Sequence, residues 1–253
     1  MRGKTVAIIQ ARMGSGRLPG KVLMPIGEIT VLEHCIKRVK TASRLDDLAV
    51  ATSESPADGQ IVELCESLKV SCVRGSEKNV LSRYAKASAI LQAEIIVRIT
   101  ADCPLVSPEV IDDVIKLRAG TDADYTSNTL KRTFPVGLDV ECFTSKSLTV
   151  AALEAESYVE KEHVTPYIYN QPTRFKLKSH EFTSDQSWLR LTLDTDDDYT
   201  FLNALFAASP LAFETLTSWR NVVETVRETP GLLYINNSRI HNIPTEDFGV
   251  RIL

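Results

Sequence analysis

The sequence predicts an α/β fold, a mainly parallel sheet with helices on both faces, and three observations predict it. Short apolar, β-branched runs at residues 6–9, 48–52, 70–73 and 95–100 alternate with stretches of helical spacing. The runs are apolar at most positions rather than at every second one, which is the pattern of strands covered on both faces. A glycine-rich, cationic loop follows the first run, at the carboxyl end of a strand, where open α/β sheets bind ligands.

The elements follow in order. Residues 6–9 read as the first strand and 31–40 as a helix with Leu32, Cys35, Ile36 and Val39 on one face. Residues 48–52 are the second strand, 59–69 a helix and 70–73 the third strand. A helix over 80–92 carries Leu81, Tyr84, Ala85, Ser88 and Leu91 as its inner stripe. Strand 95–100 precedes a helix over 108–118, which has Pro108 in its first turn and Ser107 as N-cap. Beyond Asp122 the rhythm loosens. Residues 125–128, 138–143, 175–178 and 189–193 read as strands, and 146–156, 162–169, 197–208 and 219–227 as helices. The stretch from Pro230 carries few periodic features.

Composition bounds the function. At 253 residues the chain suits one domain with a small inserted or appended part. A net charge of −4 argues against a general nucleic-acid binder, so the basic loop is a local feature of an acidic protein. No run reaches the length of a membrane helix and the start shows no signal-peptide pattern, so a cytoplasmic protein without membrane insertion is expected. The five cysteines are scattered without a CxxC pair, which suits reduced thiols, and the four histidines form no metal cluster.

The loop runs Gln10-Ala-Arg-Met-Gly-Ser-Gly-Arg-Leu-Pro-Gly-Lys21. Glycines let a backbone approach phosphate, and Arg12, Arg17 and Lys21 supply charge to its oxygens. It is not a P-loop. Gly14 and Gly20 are separated by five residues, Gly16 and Gly20 by three, and Val22 rather than Ser or Thr follows Lys21. Two carboxylates complement it. Asp102, in Ile99-Thr-Ala-Asp-Cys-Pro-Leu105, ends the 95–100 strand; Asp194 ends the 189–193 stretch, with Asp196, Asp197 and Asp198 in the first turn of the next helix. Two carboxylates with phosphate oxygens make an ordinary Mg²⁺ site.

These segments resemble the cytidylyltransferases that make CMP-linked sugar acids, and within them the SpsF-type spore-coat-polysaccharide branch, relatives of CMP-Kdo and CMP-acylneuraminate synthetases. The resemblance spans residues 6–201. It rests on the 9–23 loop, on Val73-Arg-Gly-Ser-Glu-Lys-Asn-Val-Leu-Ser-Arg-Tyr84, on residues 97–105, on Tyr125-Thr-Ser-Asn128, on residues 132–141, on Glu162-His-Val-Thr-Pro166 and on residues 189–195. It implies a Rossmann-like nucleotide-diphospho-sugar-transferase fold, usually dimeric. The implied reaction joins CTP and a nonulosonic- or Kdo-like sugar acid, with Mg²⁺, into a CMP-sugar and pyrophosphate for surface polysaccharide. It implies one nucleotidyltransferase domain over 1–253, with 122–188 as sugar-binding and dimerisation subregion and 230–253 as a C-terminal tail.

Carried onto matching positions, Arg12, Ser15, Gly16, Arg17 and Lys21 hold the triphosphate. Arg74, Ser76 and Asn79 sit near cytosine or ribose, and Asp102 and Asp194 bind metal. Lys21, Arg17 and Asp102 are the expected catalytic groups, stabilising charge as a sugar hydroxyl attacks the α-phosphorus. Asn128, Arg132, Asp139, Glu141, His163 and Tyr167 are the expected sugar-binding residues, Arg132 pairing with a carboxylate. Three departures stand out: Ala101 where Gly is usual, Gly27-Glu-Ile-Thr-Val31 in place of a Gly-x-Pro turn, and Thr192 where acylneuraminate enzymes carry Asp. Two alternatives compete. Asp194-Thr-Asp196 imitates the DxD of metal-dependent nucleotide-sugar glycosyltransferases, and a non-catalytic nucleotide-binding protein would tolerate Ala101 and Thr192.

Overall fold

The computed structural model describes residues 3–209 and 218–236. One seven-stranded sheet organises the chain. Its strands are β1 (Thr5–Gln10), β4 (Asp47–Ser53), β5 (Ser71–Gly75), β6 (Ile95–Thr100), β7 (Tyr125–Ser127), β8 (Glu141–Thr144) and β9 (Leu177–Ser179), in the order β5-β4-β1-β6-β8-β7-β9. The first four pair in parallel, with Ile9 opposite Val50 on one side and Ile99 on the other. β8 then runs antiparallel to β6 and β7, and β9 is parallel to β7. Residues 122–188 thus extend the same sheet.

Both faces are covered, which explains the apolar runs. Ala7 and Ile9 of β1 point into one core with α1 (Val31–Val39), α4 (Pro108–Thr121), α8 (Asp196–Ala208) and α9 (Trp219–Glu228). Val6 and Ile8 point into the other, with α3 (Val80–Ile90), α5 (Ser145–Glu154) and α7 (Pro166–Tyr169). Each fully buried Ile or Val contributes about 1.5–3 kcal/mol of transfer free energy. Helix α2 (Gly59–Ser67) covers the sheet beside β4 and β5, burying Ile61 and Cys65.

Several helix starts are capped by side chains. Thr30 caps α1, Asn79 caps α3 and Thr144 caps α5, while α8 has a Thr195–Asp198 capping box. Ser107 stands at the N-cap of α4, as expected, but makes no capping hydrogen bond.

Three readings of the sequence change. The expected helix over 162–169 is two, α6 (Tyr158–His163) and α7, broken at Val164 with φ 71° because Pro166 starts a new first turn. Residues 189–193 form no strand; all but the half-buried Arg190 are buried, and one bridge, Val136 to Arg190, is their strand-like pairing. A hairpin of β2 (Pro25–Ile26) and β3 (Ile29–Thr30) turns at Gly27, φ 62°, in the segment that departs from the family turn. Of the expected tail, residues 230–234 form a 3₁₀ turn that buries Leu232 and Leu233, and 237–253 lie outside the described residues. No described helix is long and apolar enough to cross a membrane.

Candidate active site

The glycine-rich loop leaves β1 and is pinned from beneath. Buried Asp58 accepts from the Met13 N–H at 2.8 Å with one carboxylate oxygen; its other accepts from Thr52 Oγ1, Ser53 N–H and Ser53 Oγ. Met13 O in turn accepts from the N–H groups of Ser15 and Gly20. Gly20 adopts φ 75°, a left-handed turn that costs a side-chain-bearing residue strain. This turn starts the short 3₁₀ segment that carries Lys21 inward.

Lys21 is the hinge of the site. Its Nζ donates to Asp102 Oδ2 at 2.6 Å, Asp194 Oδ1 at 2.8 Å and Leu193 O at 2.7 Å, so the ammonium spends three donors on the carboxylate side. Burial opposes its charge, but Asp102 and then Asp194 outweigh burial and hold its pKa above the ordinary value. Asp194 also pairs with Arg17 at 2.8 Å and Arg190 at 2.8 Å. Burial pushes the Asp194 carboxyl up, yet Lys21, Arg190 and Arg17 prevail and hold it below its usual range. The two aspartates come from distant segments stitched backbone to backbone: Leu193 N–H donates to Asp102 O at 2.8 Å. Thr192, the departure from the acylneuraminate pattern, hydrogen-bonds the same carbonyl through its hydroxyl.

Above this assembly lies a cleft of about 460 Å³ whose wall includes Arg12, Ser15, Gly16, Arg17, Lys21, Asp102 and Asp194. The structure therefore brings together the expected triphosphate and metal residues. Arg12 pairs with Glu162 at 2.9 Å across the cleft. A second cavity of about 460 Å³ adjoins it, and Arg98, Thr100 and His163 line both. Arg132, Asp139 and Glu141 face this second cavity, with Arg132 gripping Asp139 through two bonds of 2.6 and 2.8 Å.

Other expected residues lie elsewhere. Arg74, Ser76 and Asn79 do not line the cleft. Arg74 donates to the carbonyls of Ser53 and Ser55, Ser76 Oγ accepts from Asn79 N–H, and Asn79 caps α3. Asn128 is fully buried and spends its amide on Leu138 O and Val140 N–H, tying β7 to the chain entering β8. Tyr167 packs in the α3/α5 core with its hydroxyl held by Glu154 and Arg174, and Tyr169 lines the second cavity instead. Asp196 is exposed in the first turn of α8 and is not among the cleft-lining residues, so the DxD imitation leaves one aspartate at the site.

Sequence reasoning missed Arg98. It sits in β6, donates to Gln10 Oε1 at 3.1 Å and pairs with Glu141, which also accepts from Tyr125 OH at 2.6 Å and Thr165 Oγ1 at 2.5 Å. Burial opposes the Arg98 charge; Glu141 outweighs it and holds the guanidinium above its ordinary value. Cys103, beside Asp102, is buried, and burial followed by the Asp102 charge pushes its thiol well up, which suits a packing role.

The donor set fits a magnesium ion. Asp102 Oδ1 accepts from the Cys103 thiol at 3.7 Å, while Asp102 Oδ2 and Asp194 Oδ1 share the Lys21 ammonium. One or two carboxylates completed by substrate phosphate and water satisfy Mg²⁺. Among the described residues there is no cluster of three ligating His, Cys, Asp or Glu side chains.

Comparison with known proteins agrees with this geometry. The family model for cytidylyltransferases matches residues 6–226. The chain is 38% identical to an uncharacterized protein of Methanocaldococcus jannaschii, over 93% of this chain and 95% of that one. It is 35% identical to the spore coat polysaccharide biosynthesis protein SpsF of Bacillus subtilis, over 79% of this chain and 85% of that one. The solved structure of a cytidylyltransferase from Leptospira borgpetersenii serovar Hardjo-bovis superposes with a TM-score of 0.88 at 31% identity, covering 95% of this chain and all of that one. With the family model matching residues 6–226 and relatives of 31–38% identity covering most of the chain, this protein belongs to the cytidylyltransferase family.

Proposed function

We propose that the chain transfers the cytidylyl group of CTP to a hydroxyl of a sugar acid, nonulosonic- or Kdo-like, for surface polysaccharide synthesis. The acceptor oxygen bonds to the α-phosphorus, the bond from that phosphorus to the bridging oxygen breaks, and pyrophosphate leaves. One observation carries the reading: a cationic loop and two aspartates share a cleft that opens, past Arg98, Thr100 and His163, into a second polar cavity.

In this reading Arg12, Arg17 and Lys21 exchange their present carboxylate partners for triphosphate oxygens. Lys21 and Arg17 then stabilise charge on the leaving pyrophosphate. Asp102 and Asp194, released from Lys21, would hold Mg²⁺, which when bound would supply positive charge to the phosphates and acidify the acceptor hydroxyl. The second cavity takes the acceptor. Arg132 and Asp139 are each about one-third exposed, and such pairs are worth about 0–1 kcal/mol, so a substrate carboxylate can replace Asp139 on the Arg132 fork.

Pyrophosphate release from each of the four nucleoside triphosphates, with a panel of 2-keto sugar acids, tests this. CTP with at least one acid releases pyrophosphate. Consumption of a CMP- or UDP-sugar without CTP would instead show a glycosyltransferase.

A further inference from the structure

Asp194 stands between cations on two sides, and they touch different oxygens. Lys21 Nζ and Arg17 Nη2 both reach Oδ1, each at 2.8 Å, and both residues line the cleft. Arg190 Nη2 reaches Oδ2 at 2.8 Å and is not among the cleft-lining residues. A ligand in the cleft can therefore replace the partners of Oδ1, while the partner of Oδ2 stays out of its reach.

Arg190 is itself held. Its Nε donates to Asp198 Oδ1 at 2.9 Å and its Nη2 also reaches Asp198 Oδ2 at 3.2 Å, a fork on a fully buried carboxylate. Asp198 Oδ2 accepts from the Asp194 N–H at 3.0 Å, so Asp198 fixes the backbone of Asp194 while Arg190 fixes its side chain. Behind them, buried Asn236 donates to Arg190 O at 3.3 Å. Asp102 has no such clamp. Its Oδ2 takes Lys21 and its Oδ1 the Cys103 thiol, and among the described residues no arginine pairs with it. With Lys21 drawn to phosphate, Asp102 offers two oxygens and Asp194 one.

We infer that Arg190 is a positioning residue for the metal site: it occupies Asp194 Oδ2, leaves Oδ1 alone to a cation, and so favours Mg²⁺ over Ca²⁺. The coordination habits of the two ions carry this. Mg²⁺ takes about six oxygens at about 2.1 Å and needs one oxygen per carboxylate, with phosphate and water completing an octahedron. Ca²⁺ takes about six to eight at about 2.3–2.6 Å and fills its larger shell by gripping carboxylates through both oxygens. A fixed Asp194 with one oxygen to give satisfies the first ion and leaves the second short of ligands. Groups that orient a metal ligand in this way are worth about 10–100-fold in metal affinity.

The inference rests on the proposed reaction, in which the cleft holds CTP and a metal, and a binding experiment without turnover separates the two. The ligand is a CTP analogue with a methylene group in place of the α,β-bridging oxygen, which releases no pyrophosphate. With protein in excess, so that all the analogue is bound, Mn²⁺ is added and its free fraction followed by electron paramagnetic resonance. Mg²⁺ and Ca²⁺ are then titrated as competitors. In the wild-type complex Ca²⁺ displaces Mn²⁺ only at a concentration at least about tenfold above that of Mg²⁺, a stronger preference than the free analogue shows. Arg190→Gln loses that preference and approaches the free analogue. A general loosening of the fold weakens both ions alike and leaves their ratio alone. Because Arg190→Gln strands the buried charge of Asp198, the double variant Arg190→Gln/Asp198→Asn removes both charges together and gives the same loss. A variant that keeps the wild-type ratio overturns the role of Arg190, as does a wild-type complex with no preference beyond that of the free analogue. A wild-type chain that does not bind the analogue overturns the reading of the cleft, and the inference with it.

Discussion

The Lys21 ammonium donates to Asp102 Oδ2 at 2.6 Å across a chain separation of 81 residues. With Asp194 and Leu193 O it uses three donors, and Arg17 and Arg190 complete the charge on Asp194. On the proposed reaction a triphosphate would compete for the cation and free the carboxylates, tying nucleotide binding to assembly of the proposed metal site.

Lys21→Ala removes that exchange. Nucleotide affinity should fall and the transfer step should slow by about a hundredfold or more, the scale of losing one preorganised charge. Titration with CTP and single-turnover kinetics check both; unchanged CTP affinity contradicts the triphosphate role.

Asp102→Asn leaves the fold intact, because the Asp102 carbonyl still receives Leu193 N–H and Thr192 Oγ1, and Asp194 and Leu193 O still hold the buried Lys21 ammonium. Mg²⁺-dependent turnover should disappear while thermal unfolding stays close to wild type. Near-normal activity contradicts the metal assignment. Chelation of the wild-type protein should likewise stop turnover and restore it on Mg²⁺ addition.

Acid stability follows from the aspartates. Asp194 and Asp198 both titrate below the ordinary value of 3.8: burial raises each, but Lys21 and Arg190 at Asp194, and Arg190 with local hydrogen bonds at Asp198, win. The native state then binds fewer protons than the unfolded state, so stability rises with pH. The contribution is complete above 3.8 and is lost as pH falls through the depressed folded values. Resistance to urea unfolding should therefore fall as pH drops below 3.8, the ordinary aspartate value. Arg190→Gln should start lower at the upper end and fall less; an unchanged slope contradicts the assignment.

Gly137 takes φ 101°, and an added Cβ would sit 2.6 Å from Thr192 N. Gly137→Ala therefore strains its own backbone, by about 1–3 kcal/mol, and pushes on the segment that leads to Asp194. A lower unfolding temperature together with reduced turnover is expected. Wild-type stability would show that the 189–193 segment yields freely.

Asp139→Asn loosens the Arg132 fork without removing it. KM for the acceptor should change several-fold while KM for CTP does not. A change confined to CTP would move the acceptor out of the second cavity.

The alternation through β6 was legible because strands buried on both faces read as apolar runs, and the Lys21, Asp102 and Asp194 assembly because each residue ends or follows such a run. Residues 189–193 misled for the same reason: alternation reports burial, and this segment is buried against Gly137 without a ladder. Arg98 did leave a signal, a charge inside a buried strand, which needs a partner; that partner, Glu141, lies 43 residues on and faces it through antiparallel pairing. Asp58 acts through tertiary contacts that no local spacing announces. Asn128 and Tyr167 looked like ligand groups because polar side chains in a binding half read alike, whether they face a cavity or tie backbone together.

The most direct measurement follows the phosphates of CTP in parallel reactions labelled at the α- and the γ-position, with Mg²⁺ and a sugar acid. The α label should appear in a sugar-linked product and the γ label in pyrophosphate, and both transfers should be lost in Lys21→Ala. Release of the γ label as inorganic phosphate, or an α label that never leaves the nucleotide, would contradict cytidylyl transfer at this site.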